Sequence, residues 1–277
     1  MKIEKLKDKI IIHGTEDFVA KQILECGQIF RFKVDGNVAW VNSKDKRAKL
    51  VTKGDVVEIF TPDTDYFYNF FDLKTDYSKI KNKLRTDAML KEAVEYGHGI
   101  RVLNNDAYEM IVSFIISANN NIKRISNSIE YLCSHFGKNM GGFFAFPTLE
   151  ELKKASVQDF TKAGLGYRAP QLHETLRMLD MRQIDNLKNL STEQQQNYLI
   201  SLKGVGEKVA NCIMLFGLQN REVFPVDTWI NKVYNRLTNS ITTDRKKIAR
   251  ELTNKYGNLS GFAQQYFFYY FRDNKLN

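Results

Sequence analysis

Leu202-Lys203-Gly204-Val205-Gly206-Glu207-Lys208-Val209-Ala210-Asn211-Cys212 is the stretch on which the reading of this chain turns. Helical spacing precedes it from Thr192 and follows it to Leu218, so two helices meet at a hairpin within residues 192–218. Gly204 and Gly206, one on each side of Val205, let the backbone turn tightly and leave amide groups open at the positive end of the second helix. Such an end holds phosphate without reading sequence. An isolated Gly-x-Gly is equally the C-cap of a plain helical turn. Lys208 tips the balance. It falls in the first turn of the second helix, where the helix dipole disfavours a cation and a structural role gains nothing. A nucleophile does gain, because the dipole and partial desolvation favour the uncharged amine.

Downstream, Asp227 follows Pro225-Val226 and precedes a segment of helical period from Thr228 to Leu237. Its structural role is an N-cap. A carboxylate fixed there would also stabilise positive charge developing on a sugar ring, and the two roles are compatible.

The 277 residues hold 41 Lys and Arg against 32 Asp and Glu, a formal net charge of +9 that favours a polyanionic partner. Cys26, Cys133 and Cys212 are too far apart for a disulfide framework or a Cys-x-x-Cys metal site. His13, His98, His135 and His173 lack zinc-ligand spacing. Neither a transition metal nor any other cofactor is expected. The N-terminus is charged from Lys2 onward, and no apolar stretch reaches the roughly 20 residues needed to span a bilayer. A cytoplasmic, nucleoid-associated monomer is expected, without export or membrane insertion.

From Lys9 to Thr61 short apolar or alternating runs predict strands: Ile10–Ile12, Ile29–Val34, Val38–Val41 and Val56–Phe60. Asp35-Gly36-Asn37 and Lys53-Gly54-Asp55 supply the hairpin turns of a small antiparallel sheet. Beyond Pro62-Asp63 the texture is helical. Asp106 with Glu109, Thr148 with Glu151 and Ser191 with Gln194 have capping-box spacing. The predicted class is α+β: an N-terminal antiparallel β domain over 1–66, then a two-lobed, mainly helical domain over 67–277.

Gly204 to Cys212, followed by Pro225-Val226-Asp227, resembles the helix–hairpin–helix glycosylase superfamily with its Gly/Pro-Asp loop. Gly27-Gln28-Ile29-Phe30-Arg31, Ser113 to Ile125 around Asn119-Asn120-Asn121, Leu165-Gly166-Tyr167-Arg168-Ala169 and Gly261-Phe262-Ala263-Gln264-Gln265 narrow the resemblance to the 8-oxoguanine DNA glycosylase family. The matches run in order over nearly the whole chain.

This resemblance implies a bifunctional glycosylase and AP lyase acting on double-stranded DNA with 8-oxoguanine opposite cytosine. It makes Lys208 the nucleophile at C1′ and Asp227 the stabiliser of the transition state. The target nucleotide is flipped out of the stack. Asn119 fills the gap and, with Arg124 and Arg168, addresses the estranged cytosine, while Tyr167 wedges beside it; Gly204, Val205 and Gly206 hold backbone phosphate. The Gly27 carbonyl accepts the N7 proton that guanine lacks, Cys212 and Phe268 sandwich the base, and Gln264 meets its Watson–Crick edge. Plain structural roles stand beside these: a capped loop for Asn119 to Asn121, ordinary loop positions for Tyr167 and Arg168, and core packing for Cys212. Phe268 belongs to an aromatic stripe from Phe262 to Phe271 that is mostly core material.

Trp229 stands where many relatives carry a phosphate-binding histidine, so stacking or apolar packing is expected there. The short N-terminal region fits a bacterial-type enzyme with looser opposite-base selectivity. The iron–sulfur branches of the superfamily need closely spaced cysteines near the C-terminus, and the last cysteine here is Cys212. The alkylation-repair branch lacks the lysine. Two alternatives stay open: a glycosylase for another oxidised purine, and a non-catalytic helix–hairpin–helix DNA-binding protein.

Overall fold

A computed structural model describes residues 1–274 and contains both a strand-rich region and the long helical region. The strands are β1 (Lys2–Lys5), β2 (Lys9–His13), β3 (Phe32–Asp35), β4 (Val38–Ser43), β5 (Lys46–Lys53) and β6 (Val56–Phe60), in one six-stranded sheet of order β1-β2-β6-β5-β4-β3. The pairs β1·β2, β2·β6 and β3·β4 are antiparallel. Gly36 (φ +56°) and Gly54 (φ +62°) turn the two hairpins from the left-handed region, as their turn sequences require. Alternation decides which face is core: Ile10 and Ile12 on β2 and Val57 and Ile59 on β6 are fully buried.

The expected strand over Ile29–Val34 begins only at Phe32. Ile29, Phe30 and Arg31 are all buried, so the period-two pattern of a strand is absent there. Two strands escaped the sequence reading. β1 is a charged edge strand, and β5 is rich in lysine and arginine but buries Ala48 and Leu50 completely.

The helices are α1 (Ala20–Glu25), α2 (Thr64–Phe70), α3 (Tyr77–Leu84), α4 (Ala88–Tyr96), α5 (Ala107–Ser117), α6 (Ile122–Phe136), α7 (Leu149–Leu152), α8 (Val157–Lys162), α9 (Arg168–Met178), α10 (Met181–Asn186), α11 (Thr192–Ser201), α12 (Glu207–Phe216), α13 (Thr228–Thr238), α14 (Arg245–Tyr256) and α15 (Ser260–Asp273). Full capping boxes form at Thr148/Glu151 and Ser191/Gln194, and also at Ser156/Asp159. At Asp106 only half a box forms. Its side chain accepts from the Glu109 amide at 2.9 Å, but Glu109 does not return the bond. The Glu109 carboxylate instead accepts from the Lys44 amide at 2.9 Å and lies 3.7 Å from Arg31 Nη1. A buried charge takes the better partner over a helix cap.

Contacts divide the chain into two units. The first comprises residues 1–28, 50–104 and 220–277, and the second comprises residues 29–49 and 105–219. The first is organised on α15, which packs against α4, α13 and α14. Its aromatic stripe is core, with Phe262, Tyr266, Phe267, Tyr269 and Phe271 buried and Phe268 left half-buried. The second is organised on α5, buried at every position from Ala107 to Ile116 and packed against α6, α9, α10 and α12. A helix apolar on all sides must sit inside its domain.

Candidate functional site

In the second unit, α11 and α12 form the hairpin. Gly204 has φ +78°, and a Cβ placed on it would lie 3.0 Å from Gln171 Oε1 and 3.4 Å from an Ile115 methyl, so both conformation and space call for glycine. Val205 is buried and anchors the turn, while Gly206 is exposed at the N-cap of α12 and brings no side chain to cap the first-turn amides. Thr175 Oγ1 donates to the Lys203 carbonyl at 2.7 Å and ties the hairpin to α9. Nothing in the sequence marks Thr175 or Gln171 for this task, because the contact is tertiary.

Lys208 is the second residue of α12, in its first turn. It is half-buried, and its Nζ lies 5.7 Å from the centroid of the Phe114 ring on α5. That ring is itself stacked on Phe216, at 5.6 Å between centroids, so the surface under the lysine is fixed. Cys212, one turn further along α12, is buried.

The Asn119-Asn120-Asn121 run separates into distinct tasks. Asn121 caps α6, its side chain accepting from the Arg124 amide at 3.0 Å. Asn120 donates to the Ile116 carbonyl at 3.2 Å and closes the end of α5. Asn119 precedes both, in the left-handed region at φ +50°, with its side chain exposed. Arg168 locks this loop. Its guanidinium donates to the Ala118 carbonyl at 2.5 Å, the Asn119 carbonyl at 2.7 Å and the Leu165 carbonyl at 3.2 Å, and it is 5% exposed. Its central carbon lies 4.4 Å from the Tyr167 ring centroid, and Tyr167 projects outward at 58% exposed. Arg124 is exposed in the first turn of α6. Thus Asn119, Tyr167 and Arg168 are brought together around the Ala118 carbonyl, to which the Tyr167 hydroxyl also donates at 3.4 Å.

The first unit holds Gly27, Asp227, Gln264 and Phe268. Gly27 has φ +79°, and a Cβ on it would stand 2.9 Å from Cε1 of Phe268. The ring thus lies on bare backbone, a contact only glycine permits. Gln28, fully buried, fixes this loop: it donates to the carbonyls of Ile23 and Arg101 at 2.8 Å each and accepts from the Leu103 amide at 2.8 Å. Gln264 is buried and accepts from Gln265 Nε2 at 2.8 Å. Asp227 is the N-cap of α13, Oδ1 accepting from the Ile230 amide at 2.8 Å. Trp229 is 39% exposed beside it, under the Lys232 ammonium at 5.4 Å. No helix among the described residues is long and apolar enough to cross a membrane.

Residues 112–258 match the family model of the HhH-GPD superfamily of base excision DNA repair proteins, and residues 10–111 match that of the 8-oxoguanine DNA glycosylase N-terminal domain. Among solved structures, the chain is similar to an 8-oxoguanine glycosylase/lyase of Clostridium acetobutylicum, in complex with double-stranded DNA containing cytosine opposite 8-oxoguanine. The two are 37% identical with a TM-score of 0.91, over 100% of this chain and 99% of that one. Among curated proteins it is 32% identical to a probable N-glycosylase/DNA lyase of Methanothermobacter thermautotrophicus, over 74% of each chain. It is also 32% identical to an N-glycosylase/DNA lyase of Arabidopsis thaliana, over 71% of this chain and 57% of the plant protein.

Proposed function

Because the chain belongs to the HhH-GPD superfamily of base excision DNA repair proteins and carries the N-terminal domain of the 8-oxoguanine DNA glycosylases, we propose that it excises 8-oxoguanine opposite cytosine from duplex DNA and then cleaves the strand, with Lys208 as nucleophile. The observation that carries this reading is Lys208 itself, in the first turn of α12 and two residues beyond the Gly206 N-cap, which offers that turn no side-chain hydrogen bond.

The hairpin grips the backbone phosphate beside the lesion and the damaged nucleotide swings out of the stack, at a cost of a few kcal/mol. Asn119 enters the gap, Tyr167 wedges beside it, and Arg124 and Arg168 address the cytosine. The extruded base lies on Phe268 and Cys212 with its Watson–Crick edge toward Gln264, and its N7–H donates to the Gly27 carbonyl. Guanine carries an acceptor at N7, so two acceptors would face each other and the undamaged base is rejected.

The lone pair of the Lys208 amine attacks C1′. The new C1′–Nζ bond replaces the glycosidic bond, and the base leaves with the electron pair and is protonated. Asp227 stabilises the positive charge that builds on the sugar. Opening of the sugar ring gives a Schiff base, whose cationic form acidifies C2′. Loss of that proton expels the 3′ phosphate and breaks the strand. A cytoplasmic site of action, on the nucleoid of a bacterial-type cell, fits this role.

One duplex carrying a single 8-oxoguanine opposite cytosine tests the reading. The wild-type chain is expected to release the base and nick the strand, and Lys208→Gln is expected to lose at least a thousandfold in both, as removal of a nucleophile does. Binding without product by the wild type would leave only a phosphate-gripping module. Faster action on another oxidised purine in the same duplex would reassign the substrate.

A further inference from the structure

The C-terminal turn of α15 carries a cation that joins the two elements meeting at Gly27. Arg272 lies one helical turn beyond Phe268, and its central carbon is 5.7 Å from the Phe268 ring centroid and 5.1 Å from that of Tyr269. The same guanidinium donates from Nη1 to the carbonyl of Glu25, the last residue of α1. Two residues later the chain reaches Gly27, on which the Phe268 ring edge rests. The guanidinium plane is set from behind: Nε donates to Asp273 Oδ1 at 2.7 Å, and the Tyr96 hydroxyl on α4 donates to Asp273 Oδ2 at 3.2 Å. One planar group therefore satisfies a carbonyl at the end of α1, where helical carbonyls lack an intrahelical partner, and covers the aromatic side chain that touches the loop after it.

We infer that Arg272 is a positioning residue for base selection: by bridging the Glu25 carbonyl and the Phe268 ring, it sets the spacing between the Gly27 loop and the aromatic wall on which the extruded base lies. This rests on the proposed glycosylase reading. A flexible ammonium could replace the charge and the carbonyl bond but not the flat face over Phe268. Selection between 8-oxoguanine and guanine rests on a single hydrogen bond at Gly27, so a loosened ring lowers base excision. Strand cleavage at a site that has no base makes no use of the ring.

Single-turnover rates on 8-oxoguanine opposite cytosine, and on a preformed abasic site, separate these roles. Arg272→Ala is expected to slow base excision about tenfold and abasic-site cleavage less than twofold. In a Phe268→Ala background the same substitution is expected to cost less than a further twofold, because the residue acts through that ring. Arg272→Lys, which keeps the stem and charge if the alanine variant folds poorly, is expected to slow excision by an intermediate factor with the same loss of additivity. Equal slowing of both reactions, undiminished slowing without Phe268, or unchanged excision would each overturn the role of Arg272. Wild-type protein that leaves the 8-oxoguanine duplex intact but cleaves the abasic site would instead overturn the proposed substrate.

Discussion

On the proposed reading, Gly27 concentrates the chemistry of recognition in a residue with no side chain. Its φ of +79° would cost an alanine roughly 1–2 kcal/mol, and the added methyl would meet Phe268 at 2.9 Å, inside any normal carbon contact. Gly27→Ala should therefore tilt the ring or the loop. Base excision is expected to fall at least tenfold while abasic-site cleavage continues, measured on the two duplexes side by side; equal rates with wild type would mean that the loop takes no part in recognition. Asn119 and Arg168 make a complementary case. The sequence could not divide Asn119-Asn120-Asn121, because each is a good cap or turn residue. Folding assigns the cap to Asn121 and the helix end to Asn120, and leaves Asn119 outward. Arg168 has the plain sequence reading of an ordinary loop residue, but it spends three donors on carbonyls, two of them, at Ala118 and Asn119, in a loop about fifty residues upstream.

At the scale of elements, the hairpin α11–α12 was legible because the signals that form and turn it are local: a capping box at Ser191, two glycines and the apolar face of α12; its tie to α9 through Thr175 was not. The end of the expected strand at Ile29–Arg31 was not, since Arg31 is a charged residue that folding buries almost completely. Its guanidinium lies 3.1 Å from Glu130 on α6, its Nη2 donates to the Phe144 carbonyl at 2.5 Å, and it lies 3.7 Å from Glu109 on α5. Burial dominates at Glu109 and pushes its carboxyl up to about 7, with Arg31 and the Lys44 amide pulling the other way. In the unfolded chain a glutamate titrates near 4.3. The folded state therefore holds this proton more tightly. The stabilisation is full below about pH 4 and is lost as pH rises through about 7, a swing on the order of a few kcal/mol at roughly 1.4 kcal/mol per unit. Chemical denaturation at several pH values should show stability declining over that window in wild type and a flatter profile in Glu109→Gln. An identical slope in both would place the titrating group elsewhere.

For the molecule as a whole, the α+β class and the order of the matched family segments could be read from texture, from strand-length runs to capped helices. The two units could not be read, because each is assembled from distant pieces of chain: residues 1–28 join 220–277 in one, and 29–49 join 105–219 in the other. The net charge of +9 suits a polyanionic partner but names no reaction. The reaction is tested by reducing the protein with borohydride in the presence of a duplex bearing 8-oxoguanine opposite cytosine, then mapping the cross-linked peptide. A stable protein–DNA adduct on the peptide containing Lys208, absent from Lys208→Gln, is expected. An adduct that persists in that variant, or wild-type protein that nicks the duplex without ever forming one, would contradict covalent catalysis by Lys208.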